Sequence, residues 1–460
     1  MGELTTIILA AGQGKRMKSA IPKVLHPLLG RPMLRYVIDS ARKLDSGAIY
    51  VVVGFEGEQV IRAIGPEVEY VWQREQLGTG HAVIMAAEQL QNREGDLLVL
   101  YGDTPLLREE TLRKLIAFKE ESSAQAAVLT ARMTNPAGYG RVTRNDSGKI
   151  SGIVEDKDAT EAERRINEVN TGVYCFEIKT LLAALAELTP QNAQGEYYLP
   201  DVFRILVRKG LTVVGLCLDS AAETMGPNDR VHLALTEKHL KQAINEYWMI
   251  QGVTIQDPDF TYIGPEVEIG VDTLILPGTF LDGKTTIGTG CRIGPHTRIS
   301  DSVIGDDTIV QFSQVLGSRL GSQNTVGPFA YLRPGTESAS GVKFGDFVEV
   351  KNCQIGTGSK VPHLTYLGDS QIGNRVNVGA GTITCNYDGV NKHRTVIEDG
   401  AFIGSNANLV APVKIGSGAT VGAGSTITKE VPPHALAIAR SKQELKLNWR
   451  SPRDRNEPPT

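Results

Sequence analysis

The sequence lacks the features that mark nucleic-acid-binding and membrane-spanning proteins. Its 48 basic residues are outnumbered by 52 acidic ones, for a formal net charge of -4. Domains that bind nucleic acid usually carry an excess of positive charge, so we expect no nucleic-acid partner. The chain contains no run of about 18 apolar residues, the length that a membrane-spanning helix needs. We therefore expect no membrane partner.

Cysteine is scarce and shows no pairing pattern. The five cysteines are far apart, their number is odd, and no two of them form a C-x-x-C motif. Such spacing fits neither a disulfide framework nor a structural zinc site. The sequence therefore indicates a reducing compartment, and we predict a cytoplasmic location.

Aromatic residues are also few, at 6%, whereas glycine is plentiful, at 49 residues. This combination is typical of a tightly turned, repetitive architecture in at least part of a chain. With 460 residues the chain is too long for one ordinary hydrophobic core, so two or three domains are expected.

The C-terminal half repeats with a period of six residues. Aliphatic residues stand six apart at Ile263, Ile269, Ile275, Leu281, Ile287, Ile293 and Ile299, and again at Ile355, Val361, Leu367 and at Ile403, Leu409, Ile415, Val421 and Ile427. Neither an α-helix nor an amphipathic strand has this period. A short strand followed by a tight corner does, and three such units close one turn of a parallel β-helix. Chance spacing in a β-sandwich, the alternative, does not account for seven consecutive positions.

This pattern resembles the hexapeptide-repeat family of left-handed parallel β-helices. The resemblance implies a trimeric protein and, most often in this family, an acyltransferase. The left-handed sense also comes from the resemblance, because the general preference of parallel β-crossovers would predict a right-handed coil.

The N-terminal half alternates strand-like and helical segments. Strands are predicted at 6–9, 49–53 and 97–101, and helices at 33–44, at 57–64 and after Gly80. This alternation is typical of an α/β domain with a mostly parallel sheet. We assign residues 1–229 to this domain, 230–250 to a linker helix capped by Asn228 or Asp229, and 251–460 to the β-helix. The charged tail after Arg440 is expected to be irregular.

A glycine-rich loop with two cations follows the first strand. Residues 9–17 read Leu-Ala-Ala-Gly-Gln-Gly-Lys-Arg-Met, and backbone N–H groups and cations at such a turn can hold a phosphate. Met17 stands where a dinucleotide fingerprint needs its third glycine, and the chain has no Walker A sequence. Taken alone, the loop could equally be a strand-to-helix turn with surface cations.

Residues 9–17, followed by Ile21-Pro22-Lys23, resemble the signature of sugar-1-phosphate nucleotidyltransferases, whose domain is Rossmann-like. The similarity continues through residues 73–82, the turn Tyr101-Gly102-Asp103 and the segments 138–141, 154–158, 170–172 and 226–230. Over both halves the chain resembles bifunctional enzymes that join an N-acetylglucosamine-1-phosphate uridylyltransferase to a glucosamine-1-phosphate acetyltransferase.

The resemblance implies roles for residues of the N-terminal half. Asp103 and Asn228 would bind Mg²⁺, which prefers oxygen ligands and takes few of them from the protein. UTP would be bound by Leu9, Ala10, Ala11, Gly12, Arg16, Lys23, Gln73, Gly78 and Thr79, and the sugar by Tyr101, Gly102, Gly140, Glu155 and Asn170. Without the other motifs of the signature, Asp103 would be interpreted as a turn residue. His81 is interpreted as structural, and no acid–base step requires His26.

In the C-terminal half, His363 is the candidate general base for acetyl transfer. It lies two residues after the inward-facing Val361, so it should point outward, and imidazole titrates near neutrality. The segment 362–366 resembles the catalytic segment of the acetyltransferases. By the same resemblance Arg333, Lys351, Tyr366, Asn377, Asn386 and Tyr387 would bind glucosamine-1-phosphate, and Ala380, Ser405, Ala423 and Arg440 would bind acetyl-CoA. Residues 384–394 interrupt the repeat and are predicted to form a loop ejected from the coil.

The resemblance implies that acetyl-CoA acetylates glucosamine-1-phosphate and that UTP then reacts with N-acetylglucosamine-1-phosphate. The products would be UDP-N-acetylglucosamine, for cell-wall precursor synthesis, and pyrophosphate. A homotrimer that shares its acetyl site between chains is also implied. Two alternatives stay open: a nucleotidyltransferase whose β-helix serves only regulation or assembly, and an assembly subunit without catalysis. His363 and Arg333 argue against the first, and the metal and phosphate ligands of the N-terminal half argue against the second.

Overall fold

The computed structural model describes residues 3–218, 220–447 and 449. The chain forms two compact units, Met1–Lys241 and Gln242–Thr460, and the helix Arg230–Ile250 is divided between them. This helix lies where the linker helix was predicted. Asp229 Oδ1 accepts a hydrogen bond of 2.8 Å from the N–H of His232, so Asp229 is its capping residue. Residues 441–447 contain no helix or strand, and the remainder of the predicted irregular tail, apart from residue 449, lies outside the described residues.

The first unit is an α/β fold. Its strands are β1 (Leu4–Leu9), β2 (Pro27–Leu28), β3 (Arg31–Pro32), β4 (Ala48–Val53), β5 (Glu69–Trp72), β6 (Asp96–Tyr101), β7 (Ala126–Arg132), β8 (Arg141–Arg144), β9 (Ile150–Val154), β10 (Glu168–Glu177) and β11 (Val213–Leu218). Its helices are α1 (Met33–Arg42), α2 (Gly57–Ile64), α3 (Thr79–Met85), α4 (Ala87–Leu90), α5 (Glu109–Glu121), α6 (Glu161–Arg164), α7 (Ile178–Leu185), α8 (Asp201–Arg208) and the first part of α9 (Arg230–Ile250). In the described part of the chain, no helix is both long and apolar enough to cross a membrane.

The main sheet runs in the order β11-β7-β10-β6-β1-β4-β5, and only β10 is antiparallel to its neighbours in this order. Side chains of β1 alternate between two buried clusters, with Ile7 in one and Ile8 in the other. A sheet covered on both faces requires this pattern. The predicted mostly parallel α/β domain is thus confirmed. Leu9 and Tyr101 pair at the carboxyl ends of β1 and β6, the edge where such sheets bind ligands.

In the second unit the chain winds through three parallel sheets, here called faces A, B and C. Face A consists of Thr254–Ile255, Leu274–Ile275, Arg292–Ile293, Ile309–Val310, Thr325–Val326, Lys343–Asp346, Lys360–His363, Asn377–Val378, Phe402–Ile403, Thr420–Val421 and Leu436–Ala437. Face B consists of Thr261–Ile263, Thr279–Asp282, Arg298–Ser300, Gln314–Leu316, Tyr331–Leu332, Glu349–Lys351, Tyr366–Gly368, Ile383–Cys385, Asn408–Val410 and Thr426–Ile427. Face C consists of Glu268–Ile269, Thr286–Ile287, Val303–Ile304, Arg319–Leu320, Glu337–Ser338, Gln354–Ile355, Ser370–Ile372, Thr395–Ile397 and Val413–Ile415.

The aliphatic residues of the six-residue repeat fill the interior of this β-helix. From Ile263 to Ile299 the seven predicted positions are at most 7% exposed and belong to one apolar column. Burying such a side chain contributes about 1.5–3 kcal/mol, so the column stabilises every coil. The prediction of a parallel β-helix is confirmed.

The ejected loop is shorter than predicted. Thr384 and Cys385 belong to a strand of face B, and Thr384 is fully buried. Its Oγ1 accepts a hydrogen bond of 2.8 Å from the N–H of Gly368, which allows a polar side chain to occupy the interior. The prediction that the loop begins at residue 384 is therefore wrong, and the loop comprises residues 386–394.

Candidate active sites

A cleft of about 430 Å³ opens at the carboxyl ends of β1 and β6. Its lining includes all nine residues predicted to contact the nucleotide, together with Tyr101, Asp103 and Asn228. Gly102 lies beside it, and its N–H donates a hydrogen bond of 2.9 Å to the carbonyl oxygen of Leu9. Six other lining residues were not predicted to contact a ligand, and these are Gly14, Lys15, Val24, Gln76, Ala82 and Glu196.

The glycine-rich loop packs directly on Lys23. Gly14 has φ +62°, and a Cβ placed on it would lie 2.6 Å from the Cβ of Lys23. A larger residue would therefore separate the loop from Lys23. Arg16 is exposed at the cleft, and its side chain makes no hydrogen bond or ion pair to any described residue. The Arg16 guanidinium is thus available to a ligand phosphate.

Buried contacts hold the loop between β5 and α3 in place. Gln73 is 3% exposed, and its Nε2 lies 3.0 Å from the carbonyl oxygen of Gly78 and 3.2 Å from His81 Nδ1. Thr79 Oγ1 accepts a hydrogen bond of 3.1 Å from the N–H of Leu199. Gln73 is therefore held in a fixed position in the wall of the cleft. The structural interpretation of His81 agrees with its contact to Gln73.

Asp103 and Asn228 converge on a single cation. The Lys23 ammonium donates to the Asp103 carboxylate and to Asn228 Oδ1, the latter at 3.1 Å. One anionic and one neutral oxygen form a donor set that suits Mg²⁺, which usually completes its shell with water and phosphate oxygens. The described residues contain no group of three or more His, Cys, Asp or Glu that could hold a metal ion. Because the described part of the chain supplies only these two oxygens, Mg²⁺ at this site would need the phosphate oxygens of a nucleotide as further ligands.

The residues predicted to bind the sugar form a group beside the cleft. A Cβ placed on Gly140 would lie 3.3 Å from Glu155 Oε1 and 3.4 Å from Asn170 Cβ. Burial, followed by the charge of Asp201, raises the pKa of Glu155 to about 7. Burial also raises the pKa of Tyr101, and the carboxylate of Glu155 adds to that shift. Tyr101 also lines the nucleotide cleft, so it lies between that cleft and the residues predicted to bind the sugar.

On face A of the β-helix, His363 is paired with a carboxylate. Its side chain is 52% exposed, as predicted, and Nδ1 lies 2.7 Å from Oδ1 of Asp346 on the neighbouring strand. A carboxylate that accepts from Nδ1–H leaves Nε2 free to accept a proton. A backbone hydrogen bond and then the contact with His363 lower the pKa of Asp346. Asp346 was not predicted from the sequence, although its separation of 17 residues from His363 equals the length of that coil.

The predicted acetyl-CoA residues continue the column that Asp346 and His363 begin. On successive coils the N–H of Asn406 bonds to the carbonyl oxygen of Ala380 at 2.7 Å, and the N–H of Gly424 bonds to that of Ser405 at 2.8 Å. Arg440 Nη1 then donates to the carbonyl oxygen of Ala423 at 2.8 Å. At about 4.8 Å per coil, the column from His363 to Arg440 measures about 20 Å. It suits an extended ligand.

Several cationic side chains lie close together at face B. Arg333 Nη1 lies 2.8 Å from Glu349 Oε1, which holds the guanidinium against the sheet. Contact with the Lys392 ammonium lowers the pKa of Lys351, and Arg333 contributes to that shift. Neighbouring cations with this mutual repulsion are suited to binding a phosphate. Arg333 and Lys351 were predicted from the sequence, whereas Glu349 and Lys392 were not.

The other residues predicted to bind glucosamine-1-phosphate are divided between two places in the chain. Tyr366 and Asn386 both pack over Gly368, because a Cβ placed there would lie 2.5 Å from the Tyr366 hydroxyl and 2.7 Å from Asn386 Nδ2. Asn377, by contrast, lies on face A, and Tyr387 lies in the ejected loop. Within one chain the predicted residues therefore form a face A group with His363 and a face B group with the cations.

Two family models match the chain. Residues 6–170 match the MobA-like NTP transferase domain, and residues 394–429 match the bacterial transferase hexapeptide, with six repeats. The fold and the sites therefore define a two-unit transferase, in which a Rossmann-like nucleotidyltransferase is followed by a left-handed parallel β-helix of hexapeptide repeats.

Curated relatives align along nearly the whole chain. The bifunctional protein GlmU of Heliobacterium modesticaldum is 52% identical over 449 residues, which cover 98% of each chain. That of Carboxydothermus hydrogenoformans is 53% identical, covering 96% of this chain and 99% of the relative. That of Halalkalibacterium halodurans is 51% identical, covering 98% and 99%. The chain belongs to the GlmU family of bifunctional proteins and is a bifunctional enzyme.

Proposed function

We propose that this enzyme acetylates glucosamine-1-phosphate and then converts the product to UDP-N-acetylglucosamine for cell-wall precursor synthesis. The observation that carries the proposal is that each unit contains its own assembled group. In the first unit a glycine-rich loop lines the same cleft as Asp103 and Asn228, and in the second a histidine–carboxylate pair begins the column on face A. A β-helix that served only as a scaffold would need neither the pair nor the column.

In uridylyl transfer, the N-terminal cleft positions two phosphates against each other. A phosphate oxygen of N-acetylglucosamine-1-phosphate attacks the α-phosphorus of UTP, and pyrophosphate leaves. Arg16 and Lys23 bind triphosphate oxygens, while Gln73 recognises the base. Asp103 and Asn228 would hold a Mg²⁺ ion, which when bound would neutralise phosphate charge. The reaction needs no protein nucleophile, because orientation and charge neutralisation can carry it.

In acetyl transfer, the glucosamine nitrogen attacks the thioester carbonyl of acetyl-CoA. A C–N bond forms, the C–S bond breaks, and the CoA thiolate leaves. Nε2 of His363 takes the proton from the amine, while Asp346 orients the ring through Nδ1 and stabilises the imidazolium. Arg333 and Lys351 bind the sugar phosphate, and backbone amides stabilise the oxyanion.

The acetyl site belongs to a homotrimer in this proposal and is shared between chains. Phe312, Phe329, Phe347 and Leu364 form an exposed column at the corner that carries Asp346 and His363, and all four have positive φ. Phe329 is 56% exposed, and its ring centroid lies 5.4 Å from that of Phe347. Bulky residues seldom adopt this conformation, and exposed apolar columns commonly mark interfaces. A neighbouring chain on this column would bring its face B group toward His363.

A cytoplasmic location is part of the same proposal. All five cysteines are free, and Cys175, Cys291 and Cys353 are buried. Free thiols in the absence of any disulfide are typical of a reducing compartment.

Omission of single substrates tests the two activities. Acetyl-CoA with glucosamine-1-phosphate should release free thiol, and UTP with N-acetylglucosamine-1-phosphate and Mg²⁺ should release pyrophosphate. Pyrophosphate without thiol release would indicate that the β-helix is only a scaffold or regulator. Absence of both products would indicate an assembly subunit without catalysis.

Two variants test the shared site. Phe329→Glu should dissociate the trimer in light scattering and lower acetyl transfer, whereas Val303→Glu, on face C and also partly exposed, should change neither. Inactive His363→Ala chains co-refolded with inactive Arg333→Ala chains should regain part of the activity, because some mixed sites then combine an intact face A group with an intact face B group. A monomeric wild type, or no recovery in verified mixed trimers, would contradict the proposal.

A further inference from the structure

The Lys23 ammonium contacts the same two oxygens that would hold a divalent cation. It donates to the Asp103 carboxylate and to Asn228 Oδ1, which lie far apart in the sequence. The Lys23 and Asp103 side chains are only 13% and 22% exposed, so water screens this contact weakly. The contact places a phosphate-binding cation where the metal ion is expected.

We propose that Lys23 is an exchangeable cation within the active site. Its ammonium holds Asp103 and Asn228 together and moves to the triphosphate when a divalent cation takes its place. The inference rests on the proposed uridylyl transfer, because that reaction defines the metal ion and the triphosphate. It assigns Lys23 a second, positioning role besides phosphate binding.

Distance and charge both favour the exchange. Mg²⁺ binds oxygen at about 2.0–2.1 Å, whereas an ammonium donates to oxygen at about 2.7–2.9 Å. Both cations on the same two oxygens would be in contact with each other, with three positive charges against one carboxylate. A divalent cation at these oxygens therefore competes with Lys23 for Asp103 and Asn228.

The displaced ammonium stays inside the cleft. The backbone of Lys23 begins a short 3₁₀ helix, and its Cβ packs against the Gly14 backbone. Only the flexible four-carbon stem can therefore move, and Lys23 lines the cleft beside the glycine-rich loop. The stem swings from the metal ligands to the phosphate position. A cation without nucleotide should consequently bind weakly, since Lys23 has then lost its partners and gained none.

Binding of Mn²⁺ alone, measured by electron paramagnetic resonance on the full-length protein, tests the exchange. Lys23→Met keeps the stem and removes the charge, and it should tighten Mn²⁺ binding about tenfold, the size expected when a charge-assisted hydrogen bond need not be broken. Lys15→Met removes a charge from the exposed part of the same loop and should change the affinity less than about twofold, because solvent screens it. Asp103→Ala should abolish the binding.

The outcomes separate the exchange from the proposed function. Unchanged or equal affinities for Lys23→Met and Lys15→Met would overturn the exchange, even if Asp103→Ala loses binding. Wild-type affinity in Asp103→Ala would refute the metal site itself and the inference with it. Reductive methylation gives an independent readout: Mg²⁺ without nucleotide should increase labelling of the Lys23 amine several-fold, and unchanged labelling would overturn the exchange.

Discussion

Alanine at Gly172 should disturb, through Tyr101, the group of residues proposed to bind the sugar. Gly172 lies in β10 at the irregularity between Asn170 and Tyr174, with φ +81°. A Cβ placed on it would lie 1.9 Å from Cε2 of the Tyr101 ring. The ring lines the nucleotide cleft and is partly buried, so it can only yield by moving into the cleft or displacing β10. Gly148 provides a matched control, because it has φ +77° and no atom within 4 Å of its added Cβ.

The size of the effect follows from two costs. An alanine in the left-handed region costs about 1–2 kcal/mol, and overpacking a filled site costs about 1–3 kcal/mol more. Gly172→Ala should therefore lower the free energy of unfolding of the first unit by about 2–5 kcal/mol. Gly148→Ala carries only the first cost. The difference between the two variants isolates the contact with Tyr101.

Urea unfolding followed by Trp72 fluorescence measures this difference. Trp72 lies in the first unit, and Trp248 and Trp449 are replaced by phenylalanine in every sample so that only one tryptophan reports. The KM for N-acetylglucosamine-1-phosphate should rise about tenfold or more in Gly172→Ala, as a loss of 1.4 kcal/mol implies. It should stay near the wild-type value in Gly148→Ala, and acetyl transfer should be unchanged in both. Equal destabilisation of the two variants would refute the role of Tyr101.

Further predictions concern the two sites separately. Asp103→Ala should abolish uridylyl transfer and leave acetyl transfer near wild type. His363→Ala should lower acetyl transfer about 10²–10⁴-fold and leave uridylyl transfer unchanged. Loss of both activities in either variant would contradict two independent sites. Asp346→Asn should lower the kcat of acetyl transfer about 10–100-fold without changing the KM for UTP, and full activity would exclude an orienting role. The pKa of Glu155 is about 7 in the folded protein and 4.5, its ordinary value, in the unfolded chain. The stability that the protonated carboxyl group contributes is therefore fully present below pH 4.5 and is lost as the pH rises to about 7. Glu155→Gln should accordingly raise the urea midpoint at pH 8 but not at pH 4, and equal shifts at both would contradict the raised pKa.

Local patterns in the sequence were sufficient to predict both units. In a β-helix each coil contacts only its neighbours, so the inward positions repeat along the chain and Ile263, Ile269 and Ile275 could be assigned from spacing alone. The strand-to-loop motif at residues 9–17 predicted the edge of the sheet at which the cleft opens, because parallel strands place their carboxyl ends together. The resemblance identified the other residues of the cleft, such as Gln73, which no local pattern marks.

Tertiary structure alone decided which side chains meet across the coils. Strand-to-strand separations vary with the corners, from 16 residues between Val303 and Arg319 to 18 between Phe280 and Arg298, and they reach 25 across the ejected loop, so a six-residue period does not specify the register. The pairing of Asp346 with His363 depends on one coil of 17 residues. The contact of Lys23 with Asp103 and Asn228 likewise arises because separate connections of the α/β fold end at one edge of the sheet. Hydrophobic periodicity determined which residues face inward, since burial is a local property of each strand, whereas the partners of exposed polar residues depend on register and chain crossing.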